Sequence, residues 1–434
     1  MQEKSEPLEI LNSLKLLCDE TRMLSCLSAS YGTADRMETV RYGRAREMDE
    51  AGLPEESPLT ANALFDLASL TKFITGLLVM RLWEEGKVSL EETIRNIDPR
   101  FVNLGETKLG DVLCYLASLQ TEERVDAADS PEEGMSRLFA IRRGPTPATR
   151  IYSDMNAMVC KYVVEARTGL SLFEAMEHML FRPLGMTDTH ASIEEKDRPR
   201  CVSYDREHQI VKGNYVVRTG LAPGTVNDPK ARLLSGGGRD LCGHAGLFST
   251  EADMARLCQG LLSGEFIRRE TLCEMGKNRT GRINPDGSYR QYMGYLCFTR
   301  HPIQRLSELP SWMGEGAIGL SGFTGNHLCI DPEQGFFLVY LGNRCHGRVS
   351  RIILREGERY SDFGLKQDGT GFVCWPDGRA VPCSAEYVHL KDDLLHRPVF
   401  RRLDELGLTG RIHFPTTSLS SQKKKRNGKD EKCL

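Results

Sequence analysis

The sequence has few features of an exported, membrane-bound or nucleic-acid-binding protein. Its 434 residues carry a net charge of −3, so no excess of positive charge marks a nucleic-acid-binding surface. No apolar run approaches the roughly 20 residues that a membrane-spanning helix needs. Residues 1–20 are acidic and lack a basic stretch followed by an apolar one. We therefore expect no secretion signal, no membrane span and no nucleic-acid partner.

The cysteines lack the spacing of a metal site. None of the 14 cysteines forms a Cys-x-x-Cys pair, and no Cys/His spacing typical of zinc is present. Cysteines in apolar contexts, such as Cys160 and Cys258, are typical of small buried side chains. Together with the missing export signal, this pattern favours the reducing cytoplasm. We expect a cytoplasmic protein with no metal and no cofactor, and the sequence leaves its oligomeric state open.

Apolar patterns predict a sheet whose strands come from both ends of the chain. Residues 7–19 predict an amphipathic helix, and two short runs within residues 22–45 predict a pair of strands. Residues 46–62 are rich in Glu, Gly and Pro and predict a surface loop. Near the other end, residues 327–331 and 336–343 predict two strands, the second apolar enough for the centre of a sheet.

Helical patterns occupy the middle of the sequence. They run with interruptions from residue 90 to about 188, and residues 197–240 have poor periodicity, which predicts loops. Residues 352–415 carry two Asp-Gly turns between short apolar runs, which predict a small β-rich extension. Residues 416–434 are polar and basic, which predicts a disordered tail. The expected fold class is α/β of the α+β kind: an antiparallel sheet flanked by helices, with an all-helical insert.

Ser69 and Lys72 stand three residues apart at the start of a predicted helix that continues to about Gly86. This spacing places both side chains on one face of the helix. A serine hydroxyl is a weak nucleophile until a neighbouring base takes its proton, and a lysine can be that base when its pKa is lowered. The same four residues also fit an ordinary helix start with a serine cap and a solvated lysine.

A second candidate group follows a loop rich in Gly and Pro. Tyr152, Ser153 and Asp154 open another predicted helix. Either Ser153 or Asp154 could cap that helix. In a catalytic interpretation, the Tyr152 hydroxyl would relay a proton to a leaving group.

The order of these motifs resembles the serine β-lactamase-like superfamily, which includes class C β-lactamases, penicillin-binding DD-peptidases and related esterases. The matching segments span roughly residues 20–350: FDLASLTK at 65–72, YSD at 152–154, RPLGMTDT at 182–189, GHAGLFST at 243–250, GFTG at 322–325, IDP at 330–332 and GNR at 342–344. The resemblance implies a β-lactamase-like domain over 1–351, with the sheet in about 20–88 and 241–351 and the helical insert in about 89–240.

By this resemblance Ser69 is the acylated nucleophile, Lys72 its base and Tyr152 a second acid/base. The backbone N–H groups of Ser69 and Phe323 would form the oxyanion hole. Two neighbours of Phe323 in the third motif, Gly322 and Ser321, are expected to contact substrate, and so is Asp154 of the second motif.

Two departures from the family pattern bear on the substrate. The third motif normally begins with Lys or His, and here Leu320 stands there, so the cation that holds a substrate carboxylate is absent. Asp154 replaces the usual Asn and puts a carboxylate near Lys72, which would favour the protonated lysine.

These departures favour a small ester or amide substrate and leave two alternatives. One is a β-lactamase or DD-peptidase, and the other is a non-catalytic member of the fold that acts as a scaffold or sensor. His244 could also serve a Ser-His-Asp arrangement, although its glycine-rich surroundings favour a structural role.

Overall fold

The computed structural model describes residues 7–49, 51–235 and 240–412. The three glycines at 236–238 and the predicted tail at 416–434 lie outside the described residues. The α-helices of the described ranges are α1 Leu8–Lys15, α2 Leu70–Glu84, α3 Ile94–Ile97, α4 Leu109–Leu113, α5 Pro131–Phe139, α6 Asp154–Thr168, α7 Leu172–Met176, α8 Pro229–Leu234, α9 Glu251–Ser263, α10 Arg269–Met275, α11 Tyr387–Lys391 and α12 Arg397–Glu405.

The strands form one large sheet and several short pairs. They are β1 Cys26–Gly32, β2 Met37–Met48, β3 Pro54–Pro58, β4 Phe65–Asp66, β5 Leu119–Gln120, β6 Arg142–Arg143, β7 Glu207–Val211, β8 Asn214–Arg218, β9 Phe248–Ser249, β10 Arg282–Ile283, β11 Tyr289–Arg290, β12 Ile318–Ser321, β13 His327–Asp331, β14 Phe336–Asn343, β15 Val349–Ile353, β16 Phe372–Cys374 and β17 Ala380–Pro382.

The large sheet has six strands in the order β12-β13-β14-β1-β2-β3. Every neighbouring pair is antiparallel, and β1 pairs with β14, so the two ends of the chain meet at the centre of the sheet. The predicted sheet built from both ends is confirmed.

Strand β14, at the centre of this sheet, has a continuous apolar sequence because both of its faces are covered. Phe337, Val339 and Leu341 pack into the core on the side of α2 and the insert. Phe336 and Tyr340 pack on the opposite side, with α1 and the C-terminal helices. Because helices cover both faces, side chains of both alternating sets are buried.

Residues 46–62 are more ordered than the sequence predicts. Pro54–Pro58 forms the edge strand β3, which pairs with β2 with irregular register. Edge strands tolerate proline and charged residues because one row of their backbone groups faces solvent. The composition of this strand therefore resembles that of a loop.

The middle of the chain is mostly helical and also carries strands. β7 and β8 form a hairpin, and β7 also pairs in parallel with β15. Lys212 and Gly213 connect the hairpin with φ angles of 49° and 72°. Positive φ at both central residues is the geometry of a tight hairpin turn. The prediction of loops alone at 197–240 is therefore wrong for this segment.

The C-terminal extension is only partly β-structure. β16 and β17 form the hairpin predicted at Asp377-Gly378, but α11 and α12 follow it. Tyr387 of α11, Leu395 between the two helices and Val399 of α12 are buried and pack with α1 against the sheet. Spacings of four between apolar residues are typical of a helix, and this signal corrects the prediction of a β-rich segment. Among the helices of the described ranges, none has both the length and the apolar character needed to cross a bilayer.

Candidate active site

Ser69 lies at the N-terminal end of α2, where a strained residue precedes it. Ser69 is the N-cap of the helix, and Ala68 has a φ of 46°. Residues other than glycine rarely adopt this left-handed conformation, and it persists only where neighbouring contacts enforce it. Ser69 is partly exposed, whereas Ala68 and Leu70 are buried.

Asp66 supplies those contacts. Its carboxylate accepts the N–H of Ala68 at 2.8 Å and the N–H of Asn227 at 2.6 Å. Its backbone carbonyl accepts the Thr324 hydroxyl at 2.9 Å and the Asn326 amide at 2.7 Å. Burial raises the pKa of Asp66 to about 6, although the two N–H donors act in the opposite direction. Asp66 thus joins the segment before Ser69 to the turn that follows β12.

Lys72 is fully buried and its ammonium group reaches three oxygen atoms. Nζ donates to Ser69 Oγ at 2.8 Å and to the carbonyl oxygen of His244 at 3.2 Å. It also forms an ion pair with Asp154 Oδ1 at 2.9 Å. The same nitrogen lies 5.1 Å from the centre of the Tyr152 ring. The structure therefore brings Ser69, Lys72, Tyr152 and Asp154 together, as the motifs predict.

Electrostatics favour the protonated form of Lys72. Burial alone would lower its pKa, but the charge of Asp154, followed by the interaction with Tyr152, raises the pKa above the ordinary lysine value. The pKa of Asp154 is well below its usual range because Lys72, His244 and Lys230 outweigh the effect of burial. The resting site therefore contains an ammonium group at Lys72 and a carboxylate at Asp154.

Lys230 is the second cation of this network. Its Nζ lies 2.5 Å from Asp154 Oδ2, on the opposite oxygen from the one that contacts Lys72. Lys230 lies in α8, within a region of weak sequence periodicity, and the sequence alone gave no signal for its role.

Tyr152 is held by two neighbouring aromatic rings and by its backbone. Its ring lies 5.5 Å from the Tyr115 ring and 5.5 Å from the Phe298 ring. The side-chain oxygen of Gln291 accepts the N–H groups of both Ile151 and Tyr152, each at 2.9 Å.

Helix α6 begins directly after Tyr152. The Ser153 hydroxyl caps it by accepting the Met155 N–H, so Ser153 is the cap of the two candidates that the sequence offered.

The turn after β12 contacts the segment before Ser69. A Cβ atom placed on Gly322 would lie 2.7 Å from the carbonyl oxygen of Leu67, so a larger residue would push these segments apart. Within the described ranges, neither the Ser69 N–H nor the Phe323 N–H has a hydrogen-bond acceptor. Unpaired donors on two adjoining segments fit the predicted pair of oxyanion donors.

The third motif contains no exposed cation. Leu320 is fully buried in the apolar core, on the side of α2. The Ser321 hydroxyl contacts Glu308 at 2.6 Å, Lys391 at 2.7 Å and His327 at 2.9 Å. These neighbours already satisfy the hydroxyl that the resemblance assigns to substrate binding.

His244 has a partner other than Ser69. Its Nε2 lies 2.9 Å from Asp228 Oδ1, and its backbone carbonyl accepts a hydrogen bond from Lys72. The residue in contact with the Ser69 hydroxyl is Lys72, which supports the structural role predicted for His244.

Asp154, Asp228 and His244 offer ligand atoms within 4.8 Å of one another. Two ammonium groups and the imidazole already satisfy these carboxylates, so we assign no metal to this group.

The sequence profile of the family described as Beta-lactamase matches residues 27–359, which include Ser69, Lys72, Tyr152, Asp154 and the third motif. The chain belongs to the beta-lactamase family. The fold and family predicted from the motifs are confirmed.

Individual members and solved structures of related fold agree with this assignment. A Salmonella typhi protein named "Putative D-alanyl-D-alanine carboxypeptidase" is 26% identical over 347 residues, which are 71% of this chain and 76% of that protein. A mutant of simvastatin synthase from Aspergillus terreus superposes with a TM-score of 0.62 at 16% identity, covering 93% of this chain and 99% of that one.

A third protein, EstCE1, described as a hydrolase with promiscuous acyltransferase activity, gives a TM-score of 0.61 at 18% identity over 77% of this beta-lactamase-family chain and 93% of its own. At these identities the two structural matches establish the fold alone.

Proposed function

We propose that this beta-lactamase-family chain is a serine hydrolase that forms an acyl-enzyme at Ser69 from a small ester or amide. The observation that carries the proposal is the 2.8 Å contact between Lys72 Nζ and Ser69 Oγ at a helix start held in a strained conformation. A base next to a serine hydroxyl is the arrangement that nucleophilic catalysis requires.

Acylation would proceed by attack of Ser69 Oγ on the substrate carbonyl carbon. Lys72 accepts the Ser69 proton in the fraction of molecules in which its amine is neutral. The oxygen of the tetrahedral intermediate accepts hydrogen bonds from the N–H groups of Ser69 and Phe323. The carbon bond to the leaving group then breaks, and the leaving group takes a proton from Tyr152. Water hydrolyses the acyl-enzyme in the reverse sense and releases the acid.

The environment of the third motif favours substrates without a carboxylate next to the scissile bond. Leu320 provides no positive charge, and three neighbours engage the Ser321 hydroxyl. An uncharged ester or amide avoids the cost of bringing a carboxylate to this strand without a partner. EstCE1, which is described as a hydrolase, is one structural neighbour that fits this proposal.

A D-alanyl-D-alanine peptidase is the second candidate, because relatives at 26–27% identity carry that name. Because Leu320 stands where the family has Lys or His, such a peptidase would need another cation to hold the terminal carboxylate of the peptide. Release of D-alanine from a D-alanyl-D-alanine peptide, or acylation by a labelled penicillin, would support this candidate over the esterase.

The cysteines favour a reducing compartment such as the cytoplasm. All 13 cysteines within the described residues are free thiols, and most are buried. Disulfides are rare where thioredoxin and glutathione keep thiols reduced.

Turnover of p-nitrophenyl esters, compared between the wild type and Ser69→Ala, tests the proposed function. We expect turnover by the wild type and its loss in the variant. Equal rates in both proteins would favour the non-catalytic alternative.

A further inference from the structure

Two arginines face each other on the hairpin formed by β10 and β11. Arg282 and Arg290 are directly opposite partners in the antiparallel ladder. Directly opposite residues project from the same face of a hairpin, and like charges in that arrangement are destabilising.

Neither arginine has an acidic partner among the described residues. Arg290 is only 9% exposed, and its Nε atom lacks a hydrogen-bond partner. Burial, followed by the charge of Arg282, lowers the pKa of Arg290. Asp286, which lies between the two strands of the hairpin, accepts hydrogen bonds from the N–H and the hydroxyl of Ser288.

The hairpin is attached to the loop that leads to Tyr152. The Asn284 amide donates to the carbonyl oxygen of Ala148 at 2.9 Å, and the Gln291 N–H donates to that of Thr149 at 2.9 Å. Gln291, the residue after Arg290, also accepts the Tyr152 N–H. The two guanidinium groups therefore belong to the element that holds the candidate proton donor.

A third arginine belongs to the same surroundings. Arg150 is exposed, lies two residues before Tyr152, and has no acidic partner in the described part of the chain. Arg143, in β6, differs because it pairs with Asp111 at 3.0 Å. The unpaired arginines thus concentrate positive charge beside the loop of Tyr152.

We propose that Arg282 and Arg290 bind an anionic group, a carboxylate or a phosphate, on the part of the substrate remote from the scissile bond. This inference rests on the proposed function of Ser69. The planar guanidinium group donates parallel hydrogen bonds that match carboxylate and phosphate oxygens. Such a ligand would also remove the repulsion between the two opposed charges. This site would be distinct from the third motif, where Leu320 provides no cation.

The test compares p-nitrophenyl esters of one acyl length that end in a methyl, a carboxylate or a phosphate group. A second series carries the same three groups on the alcohol part, so that both ends of the substrate are tested against the hairpin. The measured quantity is the ratio of kcat/KM for the anionic ester to kcat/KM for the neutral one. The variant is Arg282→Gln/Arg290→Gln. Its control is Arg305→Gln/Arg351→Gln, which removes two exposed arginines from other elements.

We expect the wild type and the control to prefer one anionic ester about tenfold or more, consistent with charged hydrogen bonds of about 1.5–3 kcal/mol. The hairpin variant should bring the ratio close to one, and added salt should reduce the preference of the wild type. The better of the two anionic esters identifies the group. A ratio near one in the wild type, or a ratio unchanged in the hairpin variant, would overturn the inference.

A binding measurement separates this inference from the proposed function. Calorimetry with Ser69→Ala protein and the corresponding amides requires no turnover. If the anionic amide binds more tightly than the neutral amide, and this preference depends on Arg282 and Arg290, the inference is supported even if no ester is hydrolysed. Equal binding of neutral and anionic amides would overturn it even if Ser69 hydrolyses the neutral ester.

Discussion

Asp154 places Oδ1 at 2.9 Å from the Nζ of Lys72 and thereby holds the candidate base as an ammonium ion. Its other carboxylate oxygen contacts Lys230. A lysine that must act as a base is therefore paired with the group that most favours its proton. The reaction would proceed through the minor neutral form of Lys72, so activity should rise with pH.

Asp154→Asn should move the rising limb of the kcat/KM profile to lower pH. Removing an opposite charge at this distance typically lowers a lysine pKa by about 1–3 pH units, and the remaining charge of Lys230 acts in the same direction. The midpoint of the profile, rather than the maximal rate, is the measurement. Asp240→Asn is the control because Asp240 pairs with Lys161 instead. A midpoint that stays in place or moves to higher pH would contradict the assigned role of Asp154.

Gln291→Leu should lower kcat about 10- to 100-fold with a smaller effect on KM, because small misplacements of catalytic groups have effects of that size. The substitution leaves the N–H groups of Ile151 and Tyr152 without their shared acceptor. Gln291→Glu keeps carboxylate oxygens in reach of both N–H groups and should restore most of the rate. If the two variants lose activity equally, the side-chain oxygen does not position Tyr152.

Gly322→Ala should reduce kcat by about 10²- to 10³-fold, the usual cost of losing one oxyanion donor. The added Cβ would lie 2.7 Å from the Leu67 carbonyl oxygen and would displace the adjoining Phe323 N–H. Gly105→Ala is the control, because its Cβ would meet only the Arg95 side chain, at 3.7 Å or more. Near-normal kcat in Gly322→Ala would argue against Phe323 as a donor.

Asp66→Asn should change how stability depends on pH. The pKa of Asp66 is raised from 3.8 to about 6 in the folded protein. A raised pKa contributes stability that is fully present below pH 3.8 and is lost as pH rises through about 6. The stability lost between these two pH values is about 3 kcal/mol.

Urea unfolding of the wild type and Asp66→Asn between pH 4 and 7 measures this contribution, because the asparagine does not titrate. The free energy of unfolding of the variant, relative to the wild type, should rise across that range. A difference that is constant with pH would show that Asp66 titrates normally.

The sequence predicted those parts of the molecule that follow a local pattern. The strands at 327–331 and 336–343 are short apolar runs on either side of a segment with Pro and Gly, and the apolar run after Ser69 has the length of a helix. The predictions of a loop over Pro54–Pro58 and of β-structure in the segment that begins at Tyr387 were wrong. The loop prediction failed because an edge strand can carry polar residues.

The candidate site also contains residues that the sequence motifs predicted and residues that only the structure shows. Ser69, Lys72 and Tyr152 stand in recognisable motifs, and the structure brings them together. Lys230 and Gln291 lie far from these motifs in sequence, and only the tertiary structure places them beside Asp154 and Tyr152. No local pattern could have indicated their contacts.

Covalent labelling of Ser69 tests the central claim most directly. The protein is treated with a fluorophosphonate, and the modified peptide is identified by mass spectrometry, with Ser69→Ala and the exposed Ser136→Ala as paired variants. We predict one adduct, on Ser69, that forms faster as pH rises, persists in Ser136→Ala and is absent from Ser69→Ala. An unlabelled wild type, or a label that Ser69→Ala retains, would contradict the assignment of Ser69 as the nucleophile.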